Sequence, residues 1–501
     1  MVHQTGPIVM PRLVTVVLWM LAFANTQAQV ERWSRTFDDA LGVNVLTSIV
    51  VTDSGYCFVN KSPDFQNGGH MTFTQINLAG DTTLTRVTQI TGANQYGGAS
   101  QALKALPDAR IIMVDSKVPL GSNQSDAALV LFGPDGDTLW THSYGVVLSD
   151  ALTAVDTVPG GYALFGTVST GQYYDMRLIR TDTAGNVLWE QTYGGFEDQQ
   201  CYSGQRTLDG GYVLSGFKYF NNDHVNMYVV KVDSAGVEQW DYTYGSPWID
   251  NAGFIRQLPD SGYVLVGAQR ISENAFKRAA IYRLDPSGSV VWSTVFDDVS
   301  ARSVLYAAPV IASDGYVAAG DQNFGSITHG LLLKSDLVGN LVWRRTYNTT
   351  TQVDHYFYDL ERTLDGGFIM AGTAFDSLLV SQDAWLVKVD SFGCLVPGCQ
   401  IFDGLAEQFT DMGAALTLYP NPVVAGEPLN VQLALPAGFT LNGPLRLAMV
   451  STDGRVVAER VFSGSTSSLE LSTSQLSSGL YFLHVLDGSR WLCGGKVVVS
   501  E

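Results

Sequence analysis

Residues 201–245 read CYSGQRTLDGGYVLSGFKYFNNDHVNMYVVKVDSAGVEQWDYTYG, and the chain up to about residue 393 is a loose copy of that unit. The stretch divides into four strand-length runs, 201–208, 212–218, 227–232 and 239–245. They are joined by the turn Asp209-Gly210-Gly211, a polar loop, and the turn Asp233-Ser234-Ala235-Gly236. The runs are short, rich in β-branched and aromatic residues and punctuated by turn residues, so the unit is four strands. Working outward, it can be followed by its tryptophans: Trp33, then Trp140, Trp189, Trp240, Trp292 and Trp343, the last five about fifty residues apart. A second marker keeps phase with the first: Asp53-Ser54-Gly55-Tyr56, Pro159-Gly160-Gly161-Tyr162, Asp209-Gly210-Gly211-Tyr212, Asp260-Ser261-Gly262-Tyr263, Asp314-Gly315-Tyr316 and Asp365-Gly366-Gly367-Phe368. Between Trp33 and Trp140 lies one degenerate copy. There Gly80-Asp81-Thr82-Thr83-Leu84 replaces Gly-x-x-x-Trp, and Pro107-Asp108-Ala109-Arg110 replaces Asp-Gly-Gly-Tyr.

Both markers are turns with a physical job. Asp-x-Gly puts glycine where φ must be positive and lets the Asp carboxylate accept nearby backbone N–H groups, which closes a tight hairpin. The Asp-x-x-Gly set begins at Asp182, Asp233, Asp285, Asp336 and Asp390. It suits a hairpin built on a type I turn with glycine in the left-handed position. Hairpin acids of this kind do not supply the converging oxygens of a calcium loop, so no metal is expected in them. Four-stranded units bury their apolar faces only by stacking on neighbours, and seven copies are expected to form a seven-bladed β-propeller, which leaves few exposed edges. The last copy has three strands, near 356–363, 368–373 and 384–389, and lacks a tryptophan strand. An unused one stands at 31–37, Glu31-Arg32-Trp33-Ser34-Arg35-Thr36-Phe37, so the N-terminal strand is expected to close the ring.

The pattern Asp182-Thr183-Ala184-Gly185-Asn186-Val187-Leu188-Trp189 resembles the tryptophan-docking repeat of quinoprotein dehydrogenases. The resemblance implies blade construction. That family's propeller usually has eight blades and its quinone site uses adjacent cysteines; this sequence has no Cys-Cys pair, so no cofactor is carried over.

With 51 glycines, 11% aromatic and 15% charged residues, the composition suits an all-β chain of short strands and tight turns. The formal net charge of −19 repels phosphate backbones and anionic lipid surfaces, which argues against nucleic acid and membrane-surface partners. Residues 13–23 form an apolar run behind Arg12, too short to span a bilayer, and end at Thr26-Gln27-Ala28, where a signal peptidase finds small residues. Residues 1–28 are therefore expected to be a signal peptide, with translation starting at Met10 and the mature chain at Gln29.

Polar residues recur seven positions before the first residue of each Asp-x-x-Gly turn or of its counterpart in the first two copies: His70, Asp126, Asp175, Asn226, Arg278, His329 and Asp383. Their mixed charge suits separate local caps better than a ligand-facing crown. Both hairpin turns of each copy must fall on one side of the ring and the irregular loops on the other, where binding residues are expected. Those loops carry Tyr173, Tyr174, Tyr219, Phe220, Trp248 and Phe276 beside Asp and Asn, a combination that stacks on a sugar ring and bonds its hydroxyls, though loop packing explains it equally well. The chain contains no His-Glu-x-x-His, no Gly-x-Ser-x-Gly and no phosphate loop. Asp223-His224 and Asp354-His355 lie in different loops, so no catalytic residue is assigned. Among five cysteines, Cys394 and Cys399 are expected to form a disulfide across Pro397-Gly398, while Cys57, Cys201 and Cys493 are expected to pack as apolar residues.

After a linker, residues 416–501 have their own strand pattern. Leu418-Tyr419-Pro420-Asn421-Pro422, then Val450-Ser451-Thr452-Asp453-Gly454-Arg455, then Ser478-Gly479-Leu480-Tyr481-Phe482 and Lys496-Val497-Val498-Val499 resemble the type A C-terminal sorting domain of the type IX secretion system. The resemblance implies an immunoglobulin-like sandwich and the type IX machinery as partner. It also implies passage across the outer membrane of a Gram-negative bacterium, followed by release or surface anchoring. The expected layout is a signal peptide (1–28), propeller (29–393), linker (394–415) and sorting domain (416–501). Three roles remain open for the propeller: a glycan- or protein-binding module, a carbohydrate-active lyase or hydrolase, or a structural spacer.

Overall fold

The computed structural model describes residues 32–38, 43–63, 68–90, 92–95, 100–145, 148–221, 224–296, 302–350, 352–376, 381–396, 399, 415–435, 441, 443–451, 455–462, 466–487 and 490–500. These contain strands and turns and no α-helix. The signal peptide, most of the linker, Asp223 and Gly454 lie outside the described residues.

Between residues 33 and 389 the described strands form seven antiparallel sheets of four or five strands. The fourth sheet shows the plan: Gln199–Arg206 at the axis, then Tyr212–Asn221, His224–Val232 and, at the rim, Glu238–Tyr244. Inner strands pack on those of neighbouring sheets. Asp150–Val158 meets Gln199–Arg206, which meets Phe254–Gln257, and Asp354–Arg362 of the seventh sheet returns to Ile49–Thr52 of the first. The arrangement is propeller-like. Its burial follows from stacking on both faces: Thr328–Ser335, a third strand, is buried at every position, whereas the rim strand Val187–Tyr193 is buried only at Tyr193.

The ring closes through the N-terminal strand. Trp33–Phe37 pairs with Ser381–Val389, Trp33 opposite Lys388 and Phe37 opposite Ala384. Arg32 grips Asp390 Oδ2 at 2.9 and 3.1 Å. Trp33 then docks on the first sheet, its Nε1 donating to Leu78 O at 3.0 Å. A Cβ on Gly80, at φ 80°, would stand 2.8 Å from the indole, so glycine is needed both for backbone conformation and for close approach. The same contact repeats inside the ring, with Gly288 over Trp240 and Gly393 over Trp343.

Two further parts of the repeat were not read from the sequence. A basic residue faces five of the six docking tryptophans across the rim pair, as Lys231 faces Trp240 and Lys334 faces Trp343, whereas Trp140 faces Leu131. It reaches back to the hairpin Asp of its own sheet: Lys231 to Asp209 at 2.8 Å, Lys334 to Asp314 at 2.7 Å and Lys388 to Asp365 at 2.9 Å. Where the turn is Pro159-Gly160-Gly161, Arg180 donates to the Pro159 carbonyl instead. The rim-strand tyrosines bind the next sheet, Tyr144, Tyr193, Tyr244 and Tyr347 donating to the carbonyls of Gly185, Gly236, Gly288 and Gly393 at 2.6–2.8 Å.

The degenerate second copy departs from the four-strand expectation. Its inner strand is split into Ala93–Gln95 and Leu103–Ala105, both paired with Ile111–Pro119, with Ser100 and Gln101 buried just before the second piece. The sixth sheet is split likewise, into Arg302–Leu305 and Val310–Ala312. Just past the seventh sheet, Cys394 and Cys399 are disulfide-bonded. Cys57, Cys201 and Cys493 are buried and in no disulfide.

The C-terminal residues form a three-stranded sheet (Leu416–Tyr419, Pro428–Ala434, Thr466–Ser472) and a five-stranded one (Val423–Val424, Arg490–Ser500, Gly479–Asp487, Leu445–Ser451, Val456–Phe462). They share one core that includes Val431, Leu447, Leu483 and Val497.

Candidate functional site

The hairpins joining first to second and third to fourth strands lie on one face of the ring, as the antiparallel strand order requires, and the connections between second and third strands and between sheets lie on the other. At the axis on that second face is a cavity of about 330 Å³ lined by Thr47, Ser100, Tyr202, Phe217, Asn251, Ala252, Phe254, Tyr306 and Tyr358. Five aromatic rings from the fourth to seventh sheets form its wall. Tyr202 stands 5.8 Å from Phe217 and 6.2 Å from Phe254, and Tyr306 lies 6.0 Å from Tyr358.

The floor is the inward turn of the second sheet. Ser100 and Gln101 are 1% and 3% exposed, and Gln101 has φ 75°. Ser100 Oγ donates to Asp359 Oδ1 at 2.7 Å and accepts from Ala308 N at 3.0 Å. Gln101 Oε1 accepts from Ser203 Oγ at 2.7 Å, and its carbonyl accepts from Val155 N at 3.0 Å. Two residues thus tie five sheets together across the axis. Asp359, 1% exposed, also accepts from Ser48 Oγ at 2.8 Å and Ile49 N at 3.0 Å, which compensates a buried carboxylate. The cavity is therefore closed on the hairpin side.

Polar groups gather at its edge. Arg302 holds Asp321 with bonds of 3.0 and 2.8 Å. Burial pushes the Asp321 carboxyl up to about 6, although Arg302 and a hydrogen bond from the Tyr306 hydroxyl pull against it. Burial likewise raises the Tyr306 hydroxyl and takes that of Tyr358 up to about 12, so both stay protonated donors at neutral pH. Aromatic faces with hydroxyl and amide edges can stack on an apolar ring face and bond its substituents.

The aromatics singled out from the sequence sit at the edge of this face and do not converge. Tyr174 and Tyr219 flank the segment before the fourth sheet, their backbone N–H groups donating to Asp198 Oδ1 at 2.9 Å and Asp198 O at 2.8 Å. Tyr173 is half-buried in its own loop, its carbonyl accepting from Thr170 Oγ1 at 3.0 Å. Phe220 stacks on His224 at 4.6 Å, Trp248 is half-buried with its carbonyl bonded to Val225 N, and Phe276 is 61% exposed. Tyr219 alone of these approaches the cavity wall, 5.5 Å from Phe217. His355 is fully buried against Trp385, accepts from Thr349 N at 3.1 Å, and is held neutral by burial, which takes its pKa down to about 4. The recurrent polar residues have local partners where their bonds are seen: His70 with Gln89 at 2.9 Å, Asp175 with the Gly195 N–H. Among the described residues no cluster of three or more His, Cys, Asp or Glu could hold a metal, and no helix is long and apolar enough to cross a membrane. The cavity aromatics were missed because they are spaced over more than 150 residues; their one signal is that each stands on or beside an inner strand.

Residues 417–500 match the secretion system C-terminal sorting domain. That match supports export of this propeller-like protein through the type IX secretion system. No curated protein matches the chain. Solved structures similar to it include the WD40 domain of Neurospora crassa Pan2 (11% identity, 73% of this chain and 97% of that one, TM-score 0.42). A europium-containing methanol dehydrogenase (8%, 71% and 92%, 0.39) and the Pyrococcus horikoshii acylaminoacyl peptidase (11%, 78% and 58%, 0.37) are also similar.

In the sorting domain, Asn421 clasps the last strand, donating from Nδ2 to Lys496 O at 2.6 Å and accepting from Val498 N at 2.9 Å. Pro420 and Pro422 flank it, each after a cis peptide bond, with Tyr419 exposed. Tyr481, following Gly479 by two positions, donates its hydroxyl to Ser477 O at 2.8 Å. The bulky Trp491-Leu492-Cys493 run is absorbed by a bulge: Cys493 faces Val485, Trp491 faces Leu486, and Leu492 is buried between them.

Proposed function

We propose that this protein is a seven-bladed propeller, exported through the type IX system, that binds glycan outside the cell in its axial cavity. The observation carrying the binding assignment is the aromatic wall of Tyr202, Phe217, Phe254, Tyr306 and Tyr358 on the variable-loop face, behind a tail matched to a sorting domain. Seven sheets in ring order, with Trp33 docked under Gly80, support the blade count. Two small sheets sharing one core support an immunoglobulin-like tail that is removed on export, leaving the propeller released or anchored at the surface. The signal peptide at 1–28 supplies the first export step. A glycan array probed with the full chain tests the binding role. Glycan binding that Tyr306→Ala abolishes is expected, and a protein that binds no glycan, or binds undiminished after that substitution, overturns it. Removing residues 479–501 should leave a folded protein in the periplasm; its arrival at the surface would overturn the export role of the tail.

A further inference from the structure

The axial cavity opens beside a group of cations that is unexpected on a chain of formal net charge −19. Lys277 Nζ donates to Asn251 Oδ1 at 3.5 Å, and Asn251 lines the cavity. The Lys277 carbonyl accepts from Ser303 N at 2.9 Å, which holds this lysine beside Arg302. Burial pushes its ammonium below the ordinary range, and the nearby guanidiniums of Arg270 and Arg302 push it further, only partly offset by Asp250. Two carboxylates on this side are already engaged. Asp321 takes two bonds from Arg302. Asp250, 1% exposed, accepts from Ser246 N, Ser246 Oγ and Arg270 N. Lys277 thus donates to a neutral amide while standing among cations, a partly desolvated charge that an incoming anion would stabilise.

The cavity is also blind, because Ser100 and Gln101 close the axis beneath it. A polymer cannot thread through, so what enters is a chain end. About 330 Å³ lies at the small end of ligand sites, which run roughly 300–1,000 Å³, and suits roughly one or two sugar rings. We propose, resting on the glycan-binding reading above, that the cavity receives the end of an acidic glycan. A terminal uronic acid stacks on the aromatic wall, and its carboxylate is held by Lys277.

The test titrates the full-length protein calorimetrically with digalacturonate, with its methyl ester and with cellobiose. Digalacturonate should bind at least tenfold tighter than the ester, and added salt should shrink that difference. Lys277→Met should bring digalacturonate to the level of the ester, and an unchanged far-ultraviolet circular dichroism spectrum shows that the variant is folded. Ester or cellobiose binding as tightly as digalacturonate overturns the acidic-end assignment and leaves the glycan-binding role standing. Binding of none of the three overturns the acidic assignment too, and the array separately decides whether the broader role falls with it. The comparison of acid with ester in the unaltered protein decides the matter even where Lys277→Met does not fold.

Discussion

Replacing Trp33 with alanine tests ring closure at the pair of strands Trp33–Phe37 and Ser381–Val389, far apart in the chain and held together by hydrogen bonds and packing. The indole is 9% exposed, meets Tyr56 edge-on at 5.9 Å, lies against Gly80 and donates to the Leu78 carbonyl. Truncating a buried tryptophan costs about 3–5 kcal/mol. Leu78 is 44% exposed, so its freed carbonyl can bond to water, and the lower figure is expected, about 3 kcal/mol. At about 2.1 cal/mol/K per residue over about 360 residues, unfolding entropy is roughly 0.75 kcal/mol/K, so the melting temperature should fall by about 4 °C for cooperative unfolding. Scanning calorimetry measures that fall. Limited proteolysis should show earlier cleavage in 33–37 and 381–389, since an opened ring exposes two sheet edges. A melting temperature within about 1 °C of the unaltered protein, with an unchanged cleavage pattern, would refute the closing role of this strand.

Acid sensitivity should track the hairpin carboxylates. Burial would raise Asp209, but hydrogen bonds from Lys231, Thr207 and the Gly211 N–H outweigh it and hold the carboxyl down at about 2, against an ordinary 3.8. Its contribution to stability is complete above the ordinary value and lost as pH falls through about 2. Lys231→Met should therefore raise the pH midpoint of acid unfolding, and an unmoved midpoint would contradict the pairing. Ser100→Ala deprives the buried Asp359 carboxylate of one donor and Ala308 N of its acceptor, at a cost of about 1–3 kcal/mol in urea unfolding; a change below about 0.5 kcal/mol would mean the axial plug is not structural. Asn421→Ala removes the clasp on the last strand and should lower surface export while leaving the propeller's melting unchanged, as fractionation and calorimetry would show.

Much of the fold was legible because it rests on local rules. Asp182 marks its turn by accepting the N–H groups of Ala184 and Asn186, and Gly185, three residues on, takes φ 87°, so a few adjacent residues specify a hairpin wherever they occur. The spare tryptophan at Trp33 pointed to its partner because the last copy lacked one. The lysine-to-hairpin contacts recur as well but escaped notice, since Lys231 lies on the third strand and Asp209 in the turn between the first two, and their meeting depends on register. The split inner strand of the second sheet was hidden because sequence degeneracy there signalled only a weak copy. It gave no sign that Ser100 and Gln101 turn into the axis.

By itself the sequence determined the four-strand unit, its phase and the sorting signal at its end, since turn chemistry and spacing act over a few residues and survive repetition. The candidate site was decided by tertiary structure alone. Tyr202, Phe254, Tyr306 and Tyr358 come from four sheets and meet only once those sheets are stacked around one axis, and Lys277 acquires its meaning from Arg270 in its own loop and from Asn251 and Arg302, which other segments deliver. Strand formation depends on neighbours along the chain, whereas a cavity at the axis depends on how the closed ring brings distant side chains within a few ångströms, which no spacing along the chain encodes.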